Sequence, residues 1–120
     1  MSFGDNANPL PRTCHAAGFA TVDGFGVATW IGQTGFVGDP VALGDGVFTF
    51  RTVVPVGNPA GLWQTAIQVT AVAVQTLPSF CVVRVVAGVA PEAFRAEFIS
   101  IATGLGVDPG GFMVTVTDFG

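Results

Sequence analysis

Apolar and polar residues alternate along much of this 120-residue chain with the two-residue period of half-buried strands. Residues 19–22 and 25–31 form two such runs, and Asp23-Gly24 between them favours the positive φ angles of a tight turn, which predicts a first hairpin. The Gly-rich segment 32–40 reads as a loop, and Asp45-Gly46 marks a second turn before a strand over 47–54. In that strand Phe48, Phe50, Thr52 and Val54 share one side and Val47, Thr49, Arg51 and Val53 the other, so one side is core and the other mixed. Residues 55–61 carry the Gly and Pro of a loop. Over 63–77, Trp63, Ile67 and Val69 first lie opposite Gln64, Gln68 and Thr70, and then Val72 and Val74 fall on the other parity. That phase change predicts a bulge, or a crossing between sheets, near Thr70 and Ala71. Residues 80–86 read as a short buried strand interrupted by Arg84, and 112–118 as a terminal strand after a turn at 107–111.

One segment departs from this period. Pro91 suits a first helical position, Glu92 suits the positive end of a helix, and Phe94, Phe98 and Ile101 repeat at i, i+4 and i+7 before Gly104. These signals predict a short helix over 91–103. The fold class is therefore mainly β: a β-sandwich or small barrel of about six to seven strands with one short helix, ahead of an open α+β sheet with the helix on one face. Residues 1–13 are polar, contain Pro and lack periodicity, so they read as an N-terminal arm, leaving 14–120 as a single β-rich domain.

Composition changes the picture of the surface. Half of the residues are apolar and only 10% are charged, with 17 Gly and no Lys. Soluble domains average about 25% charged residues, and a domain of this size hides only about two-thirds of its unfolded surface. Apolar area must therefore stay outside a single copy, which points to a permanent contact with other protein chains. Four Arg against eight carboxylates give a net charge of −4, a poor basis for gripping phosphate, so no nucleic acid partner is expected. The stretch 52–83 carries no charge, but its Pro and Gln residues break any apolar helix long enough to span a bilayer. The N-terminus lacks a basic start and an apolar core, so no membrane partner and no signal peptide are expected, and the chain is read as made in the cytoplasm.

Candidate chemistry is sparse. Cys14 and Cys81 are too few for a disulfide framework and read as thiols. His15 follows Cys14 directly, and adjacent residues of an extended segment face opposite ways, which argues against a Cys–His nucleophile pair. One His and two distant Cys make a poor zinc site. Asp23, Asp39, Asp45 and Asp108 stand beside Gly or Pro, where turn formation explains them. Neither a catalytic residue nor a cofactor or metal is expected. The reading is a non-enzymatic structural protein that joins copies of itself or a larger protein shell, as a virion component such as a capsid decoration, minor capsid or tail protein. The candidate contact residues are Phe3, Trp30, Phe36, Arg51, Trp63 and Arg84. The alternative is a β-sandwich binding module that offers the loops 32–40 and 55–61 to a carbohydrate or small ligand.

Overall fold

A computed structural model describes residues 14–53, 65–72, 81–89 and 92–118. Within them the alternating runs form eight strands: β1 (Cys14–Val22), β2 (Ala28–Thr34), β3 (Val41–Gly44), β4 (Val47–Phe50), β5 (Thr65–Val72), β6 (Cys81–Ala87), β7 (Phe94–Ser100) and β8 (Gly111–Asp118). They make two antiparallel four-stranded sheets, a first of order β2-β1-β8-β5 and a second of order β3-β4-β7-β6. The two sheets form a sandwich rather than a closed barrel.

The turns follow from local chemistry. Asp23 Oδ1 accepts hydrogen bonds from the amides of Phe25 (2.8 Å) and Val27 (2.9 Å), fixing the β1–β2 turn. Asp45 and Gly46 both adopt positive φ (53° and 78°), the backbone that a two-residue β3–β4 hairpin requires.

Alternation then sends one side of each strand inward, except in the short edge strand β3, which is exposed throughout. The first sheet contributes Ala16, Ala20, Ala28, Phe112, Val114 and Val116 to the core, and the second contributes Phe48, Phe50, Phe94, Ala96 and Phe98. The alanines leave room for the rings of the facing sheet, so large and small residues interdigitate. Phe112 lies at the centre, its ring centroid 5.3 Å from Phe48, 5.4 Å from Phe98 and 5.6 Å from Phe50.

Three expectations need correction. Segment 91–103 is not a helix: β7 occupies Phe94–Ser100, and residues 101–103 form a turn. The i, i+4 spacing of Phe94 and Phe98 fits a strand as well as a helix, and Ala96 completes the period-two set, with Arg95 and Glu97 outward. Tertiary pairing decides the matter, because β7 lies between β4 and β6 and hydrogen-bonds to both. The strand count is eight rather than six or seven, since β3 and β7 join the predicted set. No bulge occurs at Thr70 and Ala71; β5 pairs continuously with β8 from Thr65↔Asp118 to Val72↔Gly111. The irregularities fall instead at Cys14/Ala16, Phe19/Ala20 and Ala42/Gly44. The predicted arm at 1–13, the loop at 55–61 and residue Val74 lie outside the described residues.

Truncating the central ring tests this packing. Phe112→Ala is expected to cost about 3–5 kcal/mol, seen as a lower denaturant midpoint in equilibrium unfolding. Met113→Thr, on the outer side of the same strand, is expected to cost about 1 kcal/mol or less. Equal losses from both would contradict the assignment of the core face.

Candidate functional site

With the inner faces filled, function falls to the outer faces and the turns. The outer side of the first sheet runs across paired rows: Thr34, Ala17, Thr115 and Gln68 in one, Gly32, Phe19, Met113 and Thr70 in the next. Gln68 and Thr70 are exposed and Met113 is half exposed. Apart from His15 and Asp118, which lie near strand ends, the strands of this sheet hold no ionisable residue besides the thiol of Cys14. The second sheet differs: Arg84, Arg95 and Glu97 all stand on its strands.

Those charges pair with each other. Arg84 and Glu97 face each other across β6 and β7, and Arg84 Nε donates to Glu97 Oε1 at 2.8 Å. Arg95 Nη2 donates to Glu92 Oε1 at 3.2 Å. Glu92 Oε2 and Arg95 Nε are buried without a hydrogen-bond partner, so this second pair is incompletely satisfied. Beside it opens a cleft of about 470 Å³ lined by Val37, Gly38, Asp39, Val41, Thr49, Arg51 and Glu92. Thr49 faces outward from β4 yet is buried. Asp39 and Gly38 are tied to Trp30, whose backbone N–H donates to Asp39 Oδ1 (3.1 Å) and whose ring Nε1 donates to the Gly38 carbonyl (2.9 Å).

A third surface lies where the β1–β2 turn, the β3–β4 turn and the β7–β8 connection meet. Asp108 Oδ1 accepts from the Gly46 amide at 3.0 Å, across 62 positions of sequence. The same carboxylate packs on Gly26, where an added Cβ would sit 2.9 Å from Oδ2. The Phe98 amide donates to the Gly46 carbonyl and the Val107 amide to the Phe98 carbonyl. This pinned end nonetheless exposes Phe25 (94%), Val27, Leu43, Ile101 and Leu105.

The candidate contact residues separate on this frame. Trp30 and Phe36 stack at 4.6 Å; Phe36 is buried and Trp30 packs on the core at its edge, so both anchor the interior. Arg51 is exposed in the cleft, and Arg84 is exposed but held by Glu97. Phe3 and Trp63 lie outside the described residues. Sequence reasoning missed Phe25, although a large apolar residue between Gly24 and Gly26 in a tight turn has no core to enter. It missed Ile101 because the helix assignment placed that residue inward.

Cys14 is exposed, and its Sγ donates weakly to the Ala16 carbonyl at 3.5 Å. Among the described residues no group of three or more His, Cys, Asp or Glu side chains is placed to hold a metal ion. Cys81 is half-buried against the core, and desolvation of the thiolate pushes its thiol pKa up. Its folded value thus exceeds its unfolded one, so the neutral thiol is free of penalty below the unfolded value and stability falls as pH rises through the folded value. Thiol alkylation followed by mass spectrometry is expected to modify Cys14 several-fold faster than Cys81 at neutral pH, with the gap narrowing as pH rises. Asp108→Ala is expected to lose about 1–2 kcal/mol and to speed hydrogen exchange at the Gly46 amide, with exchange elsewhere in β4 less affected.

Comparison of the chain with protein-family models, with curated proteins and with solved structures found no match to any of them.

Proposed function

We propose that this chain is a non-enzymatic structural protein that assembles with copies of itself or into a larger protein lattice. In this reading the lattice is that of a virion, which the chain joins as a capsid decoration, minor capsid or tail protein after synthesis in the cytoplasm. The observation that carries the proposal is the outer side of the first sheet, free of ionisable side chains between the strand ends where His15 and Asp118 lie, set against a second sheet whose outer side holds paired ions. A face without charges can be covered by protein with no ion to desolvate, whereas burying Arg84 and Glu97 costs several kcal/mol per ion unless the pair is kept intact.

The size of that face also fits. Strands of eight residues rising about 3.3 Å each, four abreast at about 4.8 Å, give a face of roughly 500 Å². Two copies meeting through it bury about 1,000 Å² in total, the lower bound of a specific interface. Small Thr and Ala side chains suit close apposition, with Phe19 and Met113 as the larger contacts. Scarce charge and a small β-rich body support the virion reading; neither calls for a nucleic acid or a lipid partner.

A second reading, a binding module for a carbohydrate or small ligand, draws support from the cleft of about 470 Å³, which lies within the range of small-molecule sites and takes Val37, Gly38 and Asp39 from the loop after β2. The two readings part on solution behaviour. The assembly protein grows in mass with concentration in sedimentation velocity or native mass spectrometry, whereas the binding module stays monomeric and melts higher with its ligand.

Gln68→Lys combined with Thr70→Lys places like charges on the neutral face. The pair is expected to weaken self-association at least about tenfold while shifting the melting temperature by only a few degrees. Unchanged association would remove this face from the assembly.

A further inference from the structure

Phe25 has no cover within its own copy: it stands between Gly24 and Gly26 and is 94% exposed. It is nonetheless held in place. The Phe25 amide donates to Asp23 Oδ1, the Gly26 amide donates to the Asp23 carbonyl at 3.0 Å, and Asp108 braces Gly26 from the side. The turn therefore presents one aromatic ring from a pinned backbone, with Asp23 capping the turn and Asp108 set against Gly26. A ring of this kind has 150–250 Å² to bury, and the backbone that carries it is already ordered before any partner arrives.

The cleft offers the complementary chemistry. Val37 and Val41 supply apolar walls, buried Thr49 is part of its lining, and Arg51 supplies a cation. Among the described residues Arg84 and Arg95 each have a carboxylate partner, and Arg51 has none. Asp39 and Glu92 at the rim are already engaged, by the Trp30 amide and by Arg95. A guest that suits this cleft carries an apolar ring and a carboxylate a few ångströms apart.

We propose that the guest is the Asp23–Phe25 turn of a second copy, with Phe25 between Val37 and Val41 and Asp23 paired with Arg51. The inference deepens the assembly reading and rests on it. A copy does not fill its own cleft, because the turn adjoins Gly46 at one end of the β3–β4 hairpin and the cleft lies at the Val41–Thr49 end, roughly 10 Å away. Turn and cleft are different surfaces, so made in one direction the contact is heterologous and propagates into a ring or an open chain, and made reciprocally it closes a two-fold pair. Pairing through the neutral sheet face is isologous and stops at two.

Phe25→Ser keeps the cleft and loses the ring; Arg51→Glu keeps the ring and reverses the cation. Each variant alone is expected to form smaller species than the parent chain in sedimentation velocity, with the head-to-tail contact weakened at least about tenfold. Both residues are exposed, so melting temperatures should stay within a few degrees of the parent and report that the fold survives. Mixing the two variants, one of them fluorescently labelled, is expected to restore a contact between unlike copies only, because one supplies the ring and the other the cleft. Parent-like assembly by both variants overturns this contact while leaving the assembly reading in place, and so does a loss that mixing fails to repair. A parent chain that stays monomeric at millimolar concentration overturns self-assembly by either surface.

Discussion

The aromatic contact across the two sheets governs what the rest of the molecule can do. Phe112 of β8 meets Phe48, Phe50 and Phe98 of the facing sheet within 5.6 Å, and Phe50 in turn stacks on Phe94 at 4.8 Å. Such rings fit only because Ala16, Ala20 and Ala28 leave space beside them. Once these inward positions are fixed, period-two alternation fixes the outward ones, residue by residue. A slip of one residue in β8 would put Phe112 outside and Met113 and Thr115 inside, so the core specifies the register and the register specifies the surface.

That surface is unequal on its two sides. On the second sheet the ions are partnered and partly shielded, and the cleft beside them holds Arg51, which pairs with no carboxylate among the described residues. On the first sheet the outward rows consist of Thr, Gln, Ala, Gly, Phe and Met. The three-turn end exposes apolar side chains beside the carboxylates of Asp23, Asp45 and Asp108, and its backbone is held because carboxylates and main-chain bonds tie each turn to the next. Apolar residues on a firmly tied turn lose little backbone freedom on contact, which distinguishes them from the same residues on a loose loop.

Much of the fold was legible in the chain because turn chemistry and alternation agreed. Asp23-Gly24 and Asp45-Gly46 mark both early hairpins, and the runs that form β1, β2, β4, β5, β6 and β8 carry alternation or apolar character in the sequence itself. The failure at 91–103 has a specific cause: Phe-Arg-Ala-Glu-Phe satisfies period two and i, i+4 together, and the choice between them was made by β4 and β6, which the local sequence does not contain. β3 escaped notice because Val41-Ala-Leu-Gly44 is short and lies at a sheet edge. Of the candidate contacts, Arg51 and Arg84 do reach the surface, whereas Trp30 and Phe36 serve the interior. The turn residues Phe25 and Leu105 were legible only as misfits, apolar side chains among Gly where nothing nearby could bury them.

The position of β8 carries a consequence for the order in which the molecule is built. It lies between β1 and β5 in the first sheet and brings Phe112 to the centre of the core, yet it follows the other seven described strands in the chain. Without it β1 and β5 share no neighbour, and the rings of the second sheet have only one another to cover them. Early hairpins can form and dissolve during synthesis, but the sandwich closes in a single late step that joins segments far apart along the chain, as expected of a slow, non-local folder. A chain that still lacks β8 therefore leaves the apolar sides of both sheets open to other unfinished copies.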